Sequence, residues 1–198
     1  EGVTWGPDGF VYAGGEAGQI YRVALDSGEL TQIGSTGGFL LGVVTDGDAN
    51  VYGCDMGNHA VTRTTQAGET TTYSSGSADR AMNTPNAAVF AADGTMYVTD
   101  SGDWQAENGC IWMIRPGGET ELLTDEVRAH SNGIALHPID GSLYCVESLR
   151  PAIMRIPLGP DGRASGPAEV ALPLTPEIIA DGIAFTSDGS LLIACYTP

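Results

Sequence analysis

No lysine occurs anywhere in the 198 residues, and all eight basic side chains are arginine. Set against 25 acidic residues, they leave a formal net charge of −17. Nucleic acid and anionic membrane would repel such a chain, so neither is an expected partner. The acidity otherwise suits a solvated surface or a field that gathers cations. Without lysine there is no Schiff-base chemistry, and no G-x-S-x-G nucleophile elbow is present. No apolar run approaches the roughly 20 residues that a membrane span needs. No signal peptide opens the chain, which begins inside a motif without an initiating Met. The four cysteines, Cys54, Cys110, Cys145 and Cys195, form neither a C-x-x-C pair nor a zinc spacing. Read as buried reduced thiols they suit a reducing compartment, which makes the cytoplasm the expected location; disulfides stay open as the alternative. Helical periodicity is missing from every window long enough to count.

What the chain has instead is one phrase written five times. A polar residue, a small residue and an apolar residue lead through a short run to Asp-Gly or a relative of it, then to an apolar residue and usually Tyr. The copy Ser131-Asn132-Gly133-Ile134 leading to Asp140-Gly141-Ser142-Leu143-Tyr144 shows the pattern in full. The turn aspartates stand at 8, 48, 93, 140 and 188, giving steps of 40, 45, 47 and 48 residues. A strand-rich period of about 40 to 50 residues is that of a β-propeller blade. Asp-Gly supplies the positive φ of a tight hairpin, which accounts for two strands per copy. A second hairpin follows in three copies, around Asp26-Ser27-Gly28, Gln66-Ala67-Gly68 and Pro116-Gly117-Gly118. Residues 1–198 are therefore expected to form a single all-β domain, a β-propeller with about four and a half blades present. Propellers close with four to eight blades, so the expectation is a six-bladed ring of which this chain is an incomplete copy at both ends.

In a propeller the first strand of each blade lines the central axis. The polar position of the phrase therefore builds a ring of Glu1, Leu41, Asn86, Asn132 and Asp181. It lies 7, 7, 7, 8 and 7 residues before the turn Asp, so the alignment leaves no freedom of register. Bare carboxylates gathered in a channel are costly unless paired or bound to metal. A hard divalent cation resolves the cost, with Glu1 and Asp181 supplying charge and Asn86 and Asn132 neutral oxygens. All-oxygen ligation points to Ca²⁺ first and Mg²⁺ second, with Zn²⁺ a poorer fit. Hydrogen bonding of the same groups to backbone or channel water is the competing reading.

Around that ring, Asp55, Asp100 and Glu147 stand three residues after the Tyr of their copies and are expected to satisfy loop backbone groups or to orient ligands. His130 is read as a loop residue or a proton shuttle over the pocket. Trp5, Trp104 and Trp112 are expected in blade packing, with Trp104 the one able to wall an entrance. Tyr12, Tyr52, Tyr97 and Tyr144 recur with the blades and belong to the core.

From Glu1-Gly2 through Thr84-Pro85-Asn86, Ser131-Asn132-Gly133-Ile134-Ala135 and Ala180-Asp181-Gly182-Ile183-Ala184-Phe185, the whole chain resembles the SMP-30/gluconolactonase/LRE-like six-bladed propellers. The resemblance implies a metal-dependent hydrolase of a lactone or other ester. It implies a catalytic cation held by Glu1, Asn132 and Asp181, with Asn86 a ligand or a substrate contact. Asp181 becomes the expected catalytic residue, as general base or as nucleophile, and Asn86, His130 and Trp104 the expected substrate contacts. Thr84 and Ala87 stand where sugar-lactonase members often carry Arg and Asp, which argues against an aldonolactone. Phosphotriester hydrolysis at the same cation, and a non-catalytic calcium-binding or scaffold propeller, are the alternatives.

Overall fold

The computed structural model describes residues 2–196; Glu1, a candidate ligand, lies outside the described residues. The described chain is strand and turn throughout. The first sheet holds β1 (Val3–Trp5), β2 (Val11–Gly14), β3 (Gln19–Val23) and β4 (Leu30–Ser35). The second holds β5 (Leu40–Thr45), β6 (Val51–Asp55), β7 (Ala60–Thr64) and β8 (Thr70–Ser74). The third holds β9 (Pro85–Phe90), β10 (Met96–Asp100), β11 (Cys110–Ile114) and β12 (Thr120–Thr124). The fourth holds β13 (Ser131–Leu136), β14 (Leu143–Glu147), β15 (Ala152–Ile156) and β16 (Glu169–Pro173). A two-stranded sheet, β17 (Ala180–Phe185) with β18 (Leu191–Cys195), ends the series. Every strand pairs antiparallel with the next one in its sheet, and β1, β5, β9, β13 and β17 touch one another in turn. Four blades and half a fifth of a β-propeller result.

The Asp turns explain the hairpins. In the third sheet Gly94 N–H donates to Ala91 O at 3.0 Å, closing a turn whose last residue has φ 85°. The first and last copies match, but the second carries Ala49 at φ 60°, a left-handed conformation that costs an L-residue energy. In the fourth copy the turn bond runs from Gly141 to His137, one residue longer, which is why its spacing is 8.

The core lies between successive sheets. Tyr52, Val61, Met96, Val98 and the fully buried Trp112 fill the space between the second and third sheets. Tyr97, Ile111, Met113, Ile134 and Leu143 fill that between the third and fourth. A long 157–168 connection between β15 and β16 folds back onto the third sheet. There Tyr97 donates to Gly162 O at 2.8 Å, and Arg163 pairs with Glu121 at 2.7 Å.

Three expectations need correction. Trp5 and Trp104 are 59% and 65% exposed rather than packed between blades, and Cys195 is exposed while the other three thiols are buried. Trp5 and Cys195 belong to the outermost sheets, where no further sheet covers them among the described residues, and Trp104 stands in the loop between β10 and β11. Burial pushes the Cys110 thiol up to about 12 and the Cys54 and Cys145 thiols higher still, so all three are inert. No helix among the described residues is long and apolar enough to cross a membrane.

Candidate functional site

The first strands β5, β9, β13 and β17 each carry a bulge, and it falls on the leading pair of the repeat, while β1 pairs in regular register over its described residues. In β13 the register passes from Ser131↔Glu147 to Ile134↔Cys145, so Asn132 and Gly133 together oppose the single residue Val146. The same two-against-one step sets Leu41-Gly42 against Cys54, Asn86-Ala87 against Thr99, and Asp181-Gly182 against Ala194. A bulge re-aims a side chain that a regular pleat would send to a sheet face. Here it turns Asn86, Asn132 and Asp181, and Leu41 at the same place in the second blade, out of the sheet. The small residue that follows lets neighbouring first strands meet backbone to backbone. A Cβ on Gly133 would stand 2.5 Å from Asp181 O, and one on Gly42 2.5 Å from Asn86 O.

Leu41, Asn86, Asn132 and Asp181 consequently line one cavity of about 590 Å³. His130 and Trp104 line it too, so of the six sequence-derived site residues only Glu1, outside the described chain, is not placed there. Another groove, of about 630 Å³ and lined by Asp46, Tyr52, Tyr73 and Phe90, lies at the hairpin-turn end of the second and third sheets, away from these residues.

The amide orientation of both asparagines follows from their partners. Asn86 Nδ2 donates to Ser101 Oγ at 3.0 Å, and Ser101 Oγ donates to Ser131 O at 2.7 Å. Asn132 Nδ2 donates to Ser148 Oγ at 3.3 Å, and Ser148 Oγ donates to Ala180 O at 2.8 Å. A serine whose one proton goes to a main-chain carbonyl can only accept from the amide, so the NH₂ end must face it. Each Oδ1 is left as the acceptor offered to the cavity. Ser101 and Ser148 were not read from the sequence, although both stand four residues after the Tyr of their copies. Met56 and Tyr196 hold that position in the second and fifth copies, and both also line the cavity.

The acidic residues at the ends of the second strands serve the loops. Asp100 accepts from Asn83 N and Thr84 N at 2.8 Å each, from Gly102 N at 3.1 Å and from Trp112 Nε1 at 3.1 Å. Glu147 accepts from Arg128 N and Ala129 N, and Asp55 from Phe39 N and Asn58 N. These bonds fix the segments leading into β5, β9 and β13, and so the bulges.

His130 takes a left-handed backbone, φ 63°, immediately before β13, and its carbonyl accepts from Ser148 N at 3.2 Å. Such a conformation in a non-glycine residue costs energy and gathers at functional sites. Its ring meets Trp104 edge to face at 4.9 Å, and Nδ1 is buried without a hydrogen-bond partner among the described residues. Burial holds the imidazole below its ordinary 6.5, with the Asp181 carboxylate pulling the other way. Trp104 is itself held by its loop, where Asp103 Oδ1 accepts from Asn83 Nδ2 and Asp103 Oδ2 from Asn108 Nδ2, both at 2.9 Å.

Over residues 1–198 the chain matches the family model described as SMP-30/Gluconolactonase/LRE-like region. It belongs to that family. Among solved structures, a gluconolactonase from Xanthomonas campestris superposes with a TM-score of 0.83 at 20% identity, over 98% of this chain and 68% of its own. Regucalcin from Agrobacterium tumefaciens, described as a calcium-binding protein, gives 0.82 at 20% identity, over 99% of this chain and 67% of its own. Virginiamycin B lyase from Staphylococcus aureus gives 0.73 at 18%, over 96% of this chain and 61% of its own. At these identities the likeness is one of fold. No curated protein sequence matches. Against this SMP-30/gluconolactonase-like background, the bulge positions offer the cavity oxygen donors, two oriented carboxamides and one carboxylate, with the His130 ring beside them. Among the described residues no group of three or more His, Cys, Asp and Glu side chains gathers into a metal cluster. The donors present suit a hard cation that accepts neutral oxygens, and they do not suit Zn²⁺.

Proposed function

We propose that the chain hydrolyses a lactone or related ester at this cavity with the help of a divalent cation, Ca²⁺ before Mg²⁺. Asn86, Asn132 and Asp181 would hold the ion together with Glu1. When bound, it supplies Lewis-acid polarisation of the ester carbonyl. The remaining work falls to the chain. Asp181 is the carboxylate at the cavity and acts as general base: it takes a proton from water as the water oxygen adds to the acyl carbon. The acyl–oxygen bond to the ring then breaks, and the proton passes to the released alkoxide, giving a hydroxy acid. His130, its Nδ1 buried without a partner among the described residues, hydrogen-bonds the substrate, and Trp104 closes one side. Attack by Asp181 itself would put a carboxylate oxygen into the product, and a single turnover in ¹⁸O-water distinguishes the two routes.

The observation that carries this reading is the bulge repeated in successive blades, which turns two oriented amide oxygens and one carboxylate into the same cavity. A scaffold has no need to orient them. The test is a panel of lactones assayed with Ca²⁺ and with chelator. Hydrolysis that chelator abolishes is expected, together with loss of at least 100-fold in kcat for Asp181→Asn at unchanged melting temperature. Full activity in that variant removes the mechanism. Absence of hydrolysis on every lactone and of a phosphotriester leaves the calcium-binding scaffold.

A further inference from the structure

We propose that the ester taken at this cavity is a neutral, lipophilic lactone bearing an alkyl or aryl substituent, and not a polyhydroxylated sugar lactone. The inference rests on the hydrolase reading above and specifies its substrate class. It starts from the second blade. There the position that carries Asn86 and Asn132 in the next two blades is Leu41, and the position of their serine partners is Met56. The same bulge therefore delivers a hydrocarbon side chain to the cavity, backed by a second one. Trp104, Ile179 and Tyr196 add further apolar surface to the same cavity.

Exposure supports the assignment. Met56 and Trp104 are 36% and 65% exposed, and both line this one cavity. Large apolar side chains left open and grouped around a concave site mark a place where an apolar ligand is received. A polyol needs a donor or acceptor for each hydroxyl, since an unmatched one loses its water without replacement. Asn86 and Asn132 each give one amide N–H to a serine, and their oxygens serve the reacting end together with Asp181. None of the eight arginines lines the cavity, so beyond the cation at the reacting end no side-chain cation is there to hold a phosphate or a second carboxylate of the substrate. The apolar wall is also preformed: Trp104 stands in a loop tied by Asp103 and packs against the His130 ring.

The experiment uses the Ca²⁺-loaded chain and a series of γ-lactones from γ-butyrolactone to γ-dodecalactone, with glucono-δ-lactone beside it. kcat/KM is expected to rise roughly fourfold per added methylene while the chain remains inside the cavity. Glucono-δ-lactone is expected at least 100-fold below the best alkyl lactone. Trp104→Ala, an exposed loop change that leaves the fold intact, flattens the series, and Leu41→Asn with Met56→Ser flattens it from the second blade. In parallel, calorimetry with 2-alkylcyclopentanones, which cannot be hydrolysed, reads recognition without turnover. Glucono-δ-lactone turned over as well as the alkyl lactones overturns the substrate class and leaves the hydrolase standing. No turnover, with ketone affinity still rising with chain length and weakened by Trp104→Ala, removes the hydrolase and keeps the apolar recognition. Ketone affinity that ignores chain length overturns the proposal whatever the turnover.

Discussion

Asn132 and Ser148 show at the residue scale how much a single proton decides. Because Ser148 donates to Ala180 O, it can only accept from Asn132, and the amide oxygen must face the cavity. Replacing Ser148 with Ala frees the amide to rotate. A fall of roughly 10- to 100-fold in Ca²⁺ affinity by calorimetry is expected, since groups that orient a ligand carry that much. Ser148→Thr, which keeps the hydroxyl, should restore most of it. Unchanged affinity in Ser148→Ala would show that the amide does not need holding. The asparagines were legible in the sequence because a fixed distance ties them to a turn. Their serine partners were not, because a serine at a strand end usually answers to local backbone, and the hydrogen bond to Ser131 O or Ala180 O crosses to another blade.

At the scale of the element the first strand does two things, and both depend on its bulge. The polar residue leaves the sheet, and the small residue after it admits the neighbouring backbone. Gly133→Ala puts a methyl group 2.5 Å from Asp181 O with no flexible side chain to yield. A loss of about 1–3 kcal/mol in urea denaturation is expected. Gly9→Ala is a useful contrast: its Cβ would meet nothing, and its φ of 85° makes the cost one of backbone conformation alone. About 1–2 kcal/mol is expected there, with no change in Ca²⁺ affinity. The hairpin turns also carry a pH dependence. The Thr95 N–H bond holds the Asp93 carboxyl below its ordinary value, and the Thr186 hydroxyl does the same for Asp188. A carboxyl with a depressed folded pKa contributes stability that is present above the unfolded value, 3.8, and lost as pH falls through the folded one. Urea midpoints followed from pH 5 downward should therefore fall below about pH 4, and Asp93→Asn should lessen the slope.

At the scale of the whole molecule, a cation held as proposed by Asn86, Asn132 and Asp181 would tie three successive blades together. Binding to the folded chain alone should then stabilise all of them at once. At a Ca²⁺ concentration 100 times the dissociation constant the gain is about 2.7 kcal/mol. For a chain of this size that corresponds to a rise in melting temperature of roughly 5–10 °C by calorimetry. Asn132→Ala should abolish most of the rise. A cation-independent melting temperature in the unaltered chain would mean that the donors do not meet on one ion.

The blade period, the hairpin turns and the family were all readable from the chain, because each is a local pattern written repeatedly: Asp-Gly at a step of 40 to 48 residues and a polar-small-apolar phrase before it. Local geometry needs only neighbouring residues to specify it. Which side chains meet at the axis was legible only as far as the repeat carried it. The bulge that turns Asn86, Asn132 and Asp181 out of their sheets, the serines that orient the amides, and the apolar wall of Leu41, Met56, Trp104 and Tyr196 were decided by tertiary structure. These depend on strand register and on contacts between blades some forty residues apart, which no stretch of sequence contains by itself.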